Sequence, residues 1–310
     1  MVGKHRYVRC FALTVLDLLR FGTIRWVARY LGVGWDLVKE IHKSRLRLLY
    51  RKIPLHKVRY IGIDEFSIRK GHEYMTVVTD LRTGRILHAV EGKGKEDILP
   101  FLRKLARKGK RLEGVAMDMS SAYYHAVREA LPHHVDIVFD RYHIMALLNQ
   151  AIEDLRREQQ RELDDLGKET LKGNRFLLLR NYEDLKPDRK ARLDALLQVN
   201  QPLFSIHSMK EQLRLFWDKE NWNAARRFLE TWCHDALQSG IKQLVKAART
   251  LAGYRTGLLN YFKHPITSAM VEGINNKIKT LKRQAHGFRD KEYFKLRLYH
   301  LHTQRYSLSG

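Results

Sequence analysis

Between Tyr60 and His143 the chain changes period in an order that few folds accommodate. Three short β-rich runs come first, RYIGIDEFSI, EYMTVVTDL and GRILHAVEG, with Lys70-Gly71 in the first gap and Thr83-Gly84 in the second. Short gaps that contain glycine read as hairpins, because glycine takes the positive φ of a tight turn without a steric penalty. Three strands joined by two hairpins make an antiparallel meander. A helical run follows, EDILPFLRKLARKGK, in which Pro100 is tolerable only within the first turn. Then come a strand (EGVAMDMS), a helix (SAYYHAVREAL) and a strand (VDIVFDRYH). The fourth and fifth strands each arrive after a helix, so crossover connections are expected.

This series predicts an α/β chain with a five-stranded mixed sheet and helices on its faces. The RNase-H-like fold is the familiar fold with this order. There the first and fourth strands lie side by side and parallel, and residues near their carboxyl ends face one site. The first 59 residues read as helical and basic, with 14 Lys/Arg against three acids. After about His143 the period is helical, broken at Pro187, at Pro202 and in HPITSAMVEG at 264–273. The expected division is a DNA-binding helix-turn-helix region over 1–58 and a first part of the core over 59–160. A helical insertion over 161–263 follows, and 264–310 holds the last helix of the core and a basic C-terminus.

Charge bears on partners rather than on fold. The 310 residues hold 58 Lys+Arg and 34 Asp+Glu, a formal charge of +24, which points to nucleic acid before an acidic membrane surface. A hydrophobic content of 44% is enough for a core. No apolar run approaches the roughly 18 residues of a membrane span, and no apolar stretch of a signal peptide follows MVGKHRYVRC. The expected location is the cytoplasm, at the nucleoid. Cys10 and Cys233 can build neither a disulfide framework nor a four-cysteine zinc site.

Two acids sit in apolar strands. Asp64 lies within IGIDEF, and Asp118 ends the run GVAM. A carboxylate in a buried strand is costly unless it is paired or holds a metal. Asp118 can equally cap the turn before Ser120-Ser121. A third ligand must come from a later helix, and Glu272 in TSAMVEGINNKIKTLKR is the candidate. Helical spacing puts Glu272, Asn275 or Asn276, Lys279 and Arg283 on one face. Glu272 is also an ordinary dipole-stabilising residue of a first helical turn. Glu65 points to the other strand face from Asp64, and Asp80 shapes the TDLRTG hairpin.

The segments YIGIDEFSIRKGHEYMTVVTDL, GVAMDMSSAY, VDIVFDRYHI and TSAMVEGINNKIKTLKRQAHGFRD resemble the ISL3 family of insertion-sequence transposases, within the DDE class. The most specific parts are IDE with the following RKG, and EGINNKIK with the following KR. The resemblance implies metal-dependent strand cleavage and strand transfer, with Asp64, Asp118 and Glu272 as catalytic metal ligands. The expected cofactor is Mg²⁺ (or Mn²⁺), two ions, which stabilise the attacking and leaving oxygens of an in-line displacement. Asp140 and His143 match an Asp-x-x-His element that supports such sites. The implied partners are double-stranded DNA, both element ends and target, and further copies of the chain. A transposase-derived regulator without catalysis and an RNase-H-like nuclease are the alternative functions. The family resemblance also implies a cysteine-rich zinc ribbon ahead of the helix-turn-helix, where this chain carries only Cys10.

Residues 24–43, IRWVARYLGVGWDLVKEIHK, carry the helix-turn-helix pattern. Ala28 is small where two helices approach, and Gly32 sits where the turn needs a positive φ. Lys39, His42 and Lys43 are the expected DNA-facing positions of the second helix. The alternative is a helical hairpin that packs on the catalytic domain. Lys277, Lys279, Lys282 and Arg283 follow Glu272 as a phosphate track, extended by Arg289, Lys295 and Arg297. Leu213, Phe216, Trp217, Phe228, Leu229 and Trp232 are the expected core of the insertion. Trp222, flanked by Asn221 and Asn223, is the candidate for base stacking, with core packing as the alternative.

Overall fold

A computed structural model describes residues 7–69, 73–162, 171, 173–266, 269–285 and 288–302. In chain order the helices and strands begin with α1 (Arg9–Leu18), α2 (Ile24–Tyr30) and α3 (Trp35–Leu49). The meander is β1 (Tyr60–Arg69), β2 (Glu73–Asp80) and β3 (Arg85–Glu91). Next come α4 (Lys95–Lys108), β4 (Gly114–Met117), α5 (Ser121–Ala130) and β5 (Asp136–Phe139). The helical stretch holds α6 (Arg141–Glu162), α7 (Arg175–Leu179), α8 (Pro187–Gln198), α9 (Gln201–Arg214), α10 (Trp222–Gln238), α11 (Lys242–Gly253) and α12 (Arg255–Leu259). The last helices are α13 (Ala269–Gln284) and α14 (Lys291–His300). The five strands make one mixed sheet, as the element series predicted, and its order is β3-β2-β1-β4-β5. The turn expected at Lys70-Gly71 lies outside the described residues, as do Thr267, Ser268, His286 and Gly287 of the quoted C-terminal motif.

Two compact units make up the chain. The first comprises Met1–Leu112, His125–Pro132 and Ala269–Gly310. Its N-terminal helices close on Val15, Val27, Ala28, Val38 and Ile41, all buried. Thr23 starts α2 by accepting a hydrogen bond from the Trp26 amide at 3.2 Å. Gly32 stops it at φ +66°, where the Val33 amide reaches back to the Ala28 carbonyl at 2.9 Å. The meander pairs Asp64 with Val77 and Ile61 with Asp80. Asp80 does shape its hairpin: its carboxylate accepts from the Arg82 amide at 3.0 Å and the Thr83 hydroxyl at 2.7 Å, and Gly84 turns at φ +69°.

Pro100 corrects one expectation. It is the sixth residue of α4, beyond the first turn. The helix forgoes one amide bond there and is held instead by burial of Ile98, Leu99, Phe101, Leu102 and Leu105. Against the meander, α13 packs Ile274, Ile278 and Leu281 on Phe66, Met75 and Val77, and α14 adds Phe294 and Leu298. Phe66 and Asp64 are two residues apart and so share this strand face.

The second unit comprises Glu113–Tyr124 and His133–Ser268. Its two strands pair in parallel, Val115 with Ile137 and Met117 with Phe139. Pro187 opens α8 and Pro202 lies in the first turn of α9, both positions where a missing amide is harmless. Leu213, Phe216, Trp217, Leu229 and Trp232 are buried as expected, while Phe228 is half-buried. The Trp232 indole donates to the Met209 carbonyl at 2.8 Å. Gly257 allows α12 to lie on β5, since a Cβ there would meet the Phe139 ring at 2.2 Å.

Candidate catalytic carboxylates and nucleic-acid interface

In the first unit Asp64 is half-buried on β1. One carboxylate oxygen accepts from the Glu65 amide at 2.8 Å, and the other accepts from the Asn275 side-chain amide at 2.6 Å. Asn275 belongs to α13, and Glu272 lies one turn before it on the same helix face. The strand acid is thus tied to the helix that carries the second acid. Glu272 is exposed and makes no ion pair with another described residue.

The basic side chains expected to form a phosphate track divide. Lys277, Lys279 and Arg283 are exposed, with no ion-pair partner among the described residues. Lys282 instead bends back to the Ser67 carbonyl and lies 5.9 Å from the Phe66 ring, and burial lowers its pKa. Lys295 pairs with Glu91 at 3.3 Å.

The expected exposure of Lys39, His42 and Lys43 is corrected. His42 is buried, and its Nδ1 lies 2.8 Å from the Tyr293 hydroxyl. Lys43 is buried too and pairs with Asp290 at 2.8 Å and Glu292 at 2.9 Å, while Lys39 meets Asp290 at 2.9 Å. Arg47 completes the set with two bonds to Glu292, at 2.7 and 2.8 Å. This face of α3 is therefore spent on α14, the packing alternative. Asp290 and Glu292 went unremarked in the sequence because their partners lie about 250 residues away.

In the second unit Asp118 follows β4, half-buried, and accepts from the Ser120 amide at 3.1 Å. The capping alternative is thus realised at the Ser120 amide. Burial raises its pKa, and the Asp140 carboxylate pushes the same way. The Ser120 amide and His143 oppose both. Asp140 caps α6 through the Tyr142 amide at 3.1 Å. Its carboxylate stands 3.8 Å from His143 Nε2, too far for a hydrogen bond. Trp222 opens α10 at 36% exposure with the Arg226 guanidinium 5.9 Å from its ring, so it is not a core residue.

The donor chemistry suits a hard divalent cation, since each candidate ligand is a carboxylate. The raised Asp118 pKa marks a carboxylate whose burial the Ser120 amide and His143 offset only in part. No cluster of three or more His, Cys, Asp or Glu side chains close enough to hold a metal occurs among the described residues.

The DDE transposase ISL3 family model, described as "Transposase", matches residues 61–298. The transposase for insertion sequence element IS1001 of Bordetella parapertussis is 37% identical over 286 residues, 91% of this chain and 70% of that protein. The transposase for insertion sequence element IS1557 of Mycobacterium tuberculosis is 26% identical over 91% of this chain and 66% of its own length. The chain therefore spans about two thirds of the length of these relatives. Among solved structures, the Drosophila P element transposase strand transfer complex aligns with a TM-score of 0.47 at 11% identity, over 97% of this chain and 93% of that one. The extent of the family match and the 37% identity place the molecule among the transposases of insertion sequences: the chain belongs to the ISL3 family. Among the described residues no helix is long and apolar enough to cross a membrane.

Proposed function

We propose that this chain is a DDE transposase with an RNase-H-like core, cutting DNA at the ends of an insertion sequence and joining them to target DNA. The observation that carries the reading is the 2.6 Å bond from Asn275 to Asp64, which couples the strand acid to the helix of Glu272 in a chain of this family. Asp64, Asp118 and Glu272 would hold Mg²⁺ or Mn²⁺, two ions. When bound, they would supply charge stabilisation at the attacking and leaving oxygens of the phosphodiester.

The chain's own residues have distinct tasks. Asn275 fixes the rotamer of Asp64 and leaves Glu272 free to turn toward substrate. Asp140 and His143 set the field in which Asp118 ionises. Lys277, Lys279 and Arg283 hold backbone phosphates, and Lys282 holds the helix to the strand. Trp222 stacks on an unpaired base. The helix-turn-helix presents its face away from Lys39, His42 and Lys43 to duplex DNA. The protein acts as a homo-oligomer on DNA, in the cytoplasm. The helical stretch over 161–263 is the insertion between the two parts of the core.

The test incubates the protein with labelled terminal-sequence duplex and target plasmid, with Mg²⁺ or with EDTA. Mg²⁺-dependent joined product supports the reading. Cleavage without joining makes the chain a nuclease, and binding without either makes it a regulator; both outcomes overturn the proposal.

A further inference from the structure

The side of α2 away from the N-terminal core presents an unusual surface. Val27 and Ala28 are buried on the core side, while Arg25, Trp26, Arg29 and Tyr30 form the opposite face. Trp26 is 47% exposed and Tyr30 68% exposed, and their rings stack at 5.3 Å with 12° between planes. Phe21, just before the helix, is 85% exposed, and Trp35, just after it, is 53% exposed. Aromatic rings of this size are normally buried or engaged, so a run of them in water marks an interaction surface.

Charge selects the occupant. Arg25 and Arg29 stand one turn apart, interleaved with the stacked pair, and neither has an ion-pair partner among the described residues. No Asp or Glu occurs between Leu18 and Trp35. A second copy of this chain would set cation against cation across such a face. An anionic polymer with flat apolar groups matches both features at once: guanidinium groups for phosphates and rings for bases. Bases inside a duplex are already stacked, and only unpaired ones offer a free face.

We propose that the exposed face of α2 binds an unpaired DNA strand, its bases stacking on Trp26 and Tyr30 and its phosphates held by Arg25 and Arg29. This rests on the reading of the chain as a DNA-acting protein, but not on its catalytic residues. It also gives the N-terminal helices a nucleic-acid face other than the one that α14 covers.

The experiment uses the full chain and a fluorescein-labelled oligo-dT, with a random duplex of equal length as comparison, at one fixed salt concentration. Trp26→Ala and Tyr30→Ala should each weaken oligo-dT binding about tenfold, close to 1.4 kcal/mol, while duplex affinity stays within about twofold. Trp26→Phe should retain most of the affinity. Arg25→Ala with Arg29→Ala should flatten the salt dependence for the single strand by about 0.7 per lost contact. Melting temperatures near wild type would show that the exposed substitutions leave the fold intact. Equal losses on both DNAs, or no loss on either, overturn the proposal. So does sedimentation showing a wild-type dimer that Trp26→Ala dissolves, which would make the face a contact between copies. Strand joining measured in parallel separates the two ideas: joining by wild type with unchanged oligo-dT binding in the variants refutes this inference alone.

Discussion

Asp290 ties α3 to α14, and its removal has a calculable effect. Its Oδ1 caps α14 through the Tyr293 amide at 2.9 Å, and its Oδ2 lies 2.8 Å from Lys43 Nζ and 2.9 Å from Lys39 Nζ. The lysine side chains are only 11% and 22% exposed. Losing an N-cap costs about 1 kcal/mol. Leaving a partly buried ammonium short of its partner costs about 1.5–3 kcal/mol, toward the low end here because water still reaches both lysines and Lys43 keeps Glu292 at 2.9 Å. Asp290→Ala should therefore destabilise the protein by about 2.5 kcal/mol. Asp290→Asn keeps the cap and loses only the charge, so about 1.5 kcal/mol is expected. Equilibrium urea unfolding followed by circular dichroism reads both values, with the m-value unchanged. Acid has the same effect on the same contacts. Burial alone would raise the Asp290 pKa, but Lys43, the Tyr293 amide and Lys39 hold it far below the usual carboxylate range. Arg47 and then Lys43 depress Glu292 to about 2. Both folded values lie below the unfolded ones, so this stabilisation is present above about pH 4.5 and fades as the pH falls toward 2. Because Glu292 is half exposed, its own share should stay under about 1 kcal/mol. Equal effects of Asn and Ala, or effects below about 0.5 kcal/mol for both, would refute the assignment of these charges to the α3–α14 contact.

Two further outcomes follow from the first unit. Burial, with Arg297 nearby, lowers His42 to about 3 and His300 to about 4. The unfolded chain then binds these protons first, so stability should fall from pH 7.5 to 5, by about 2 kcal/mol for His42 alone; His42→Phe should flatten that slope in melting experiments, and an unchanged slope would contradict it. Lys279→Ala with Arg283→Ala should weaken binding to all duplexes about equally and reduce the salt slope by about one per lost phosphate contact; a sequence-selective loss in competition binding would mean that these side chains read bases instead.

What was legible in the sequence was local. Gly32, the Asp80 hairpin and the breaks in the helical stretch at Pro187 and Pro202 are each set by neighbours within a few residues, and the structure has them as expected. The five-stranded mixed sheet followed from alternating periods and short connections, while the place of β4 beside β1 rested on the likeness to the RNase-H-like fold. Lys39, His42 and Lys43 failed for the opposite reason. Helical spacing gives the face a residue occupies but not what covers that face, and here the cover is Asp290, Glu292 and Tyr293. Pro100 was misplaced because burial of five apolar neighbours outweighs one missing amide bond. Asn275 was named on the right helix face, yet its bond to Asp64 spans 211 residues and no local pattern announces it. The ladder of Trp26 and Tyr30 had a visible signal, two aromatics at i and i+4 beside two arginines, but only the exposures separate it from an ordinary core stripe.

The central claim is that Asp64, Asp118 and Glu272 carry catalysis while basic side chains carry affinity. The isosteric variants Asp64→Asn, Asp118→Asn and Glu272→Gln test it most directly, each assayed for Mg²⁺-dependent strand cleavage and for duplex binding. Cleavage should fall at least about a hundredfold in each, as expected when transition-state charge loses its stabilisation, with binding within about twofold of wild type. A variant that still cleaves at a near-normal rate would remove that residue from the site and contradict the account.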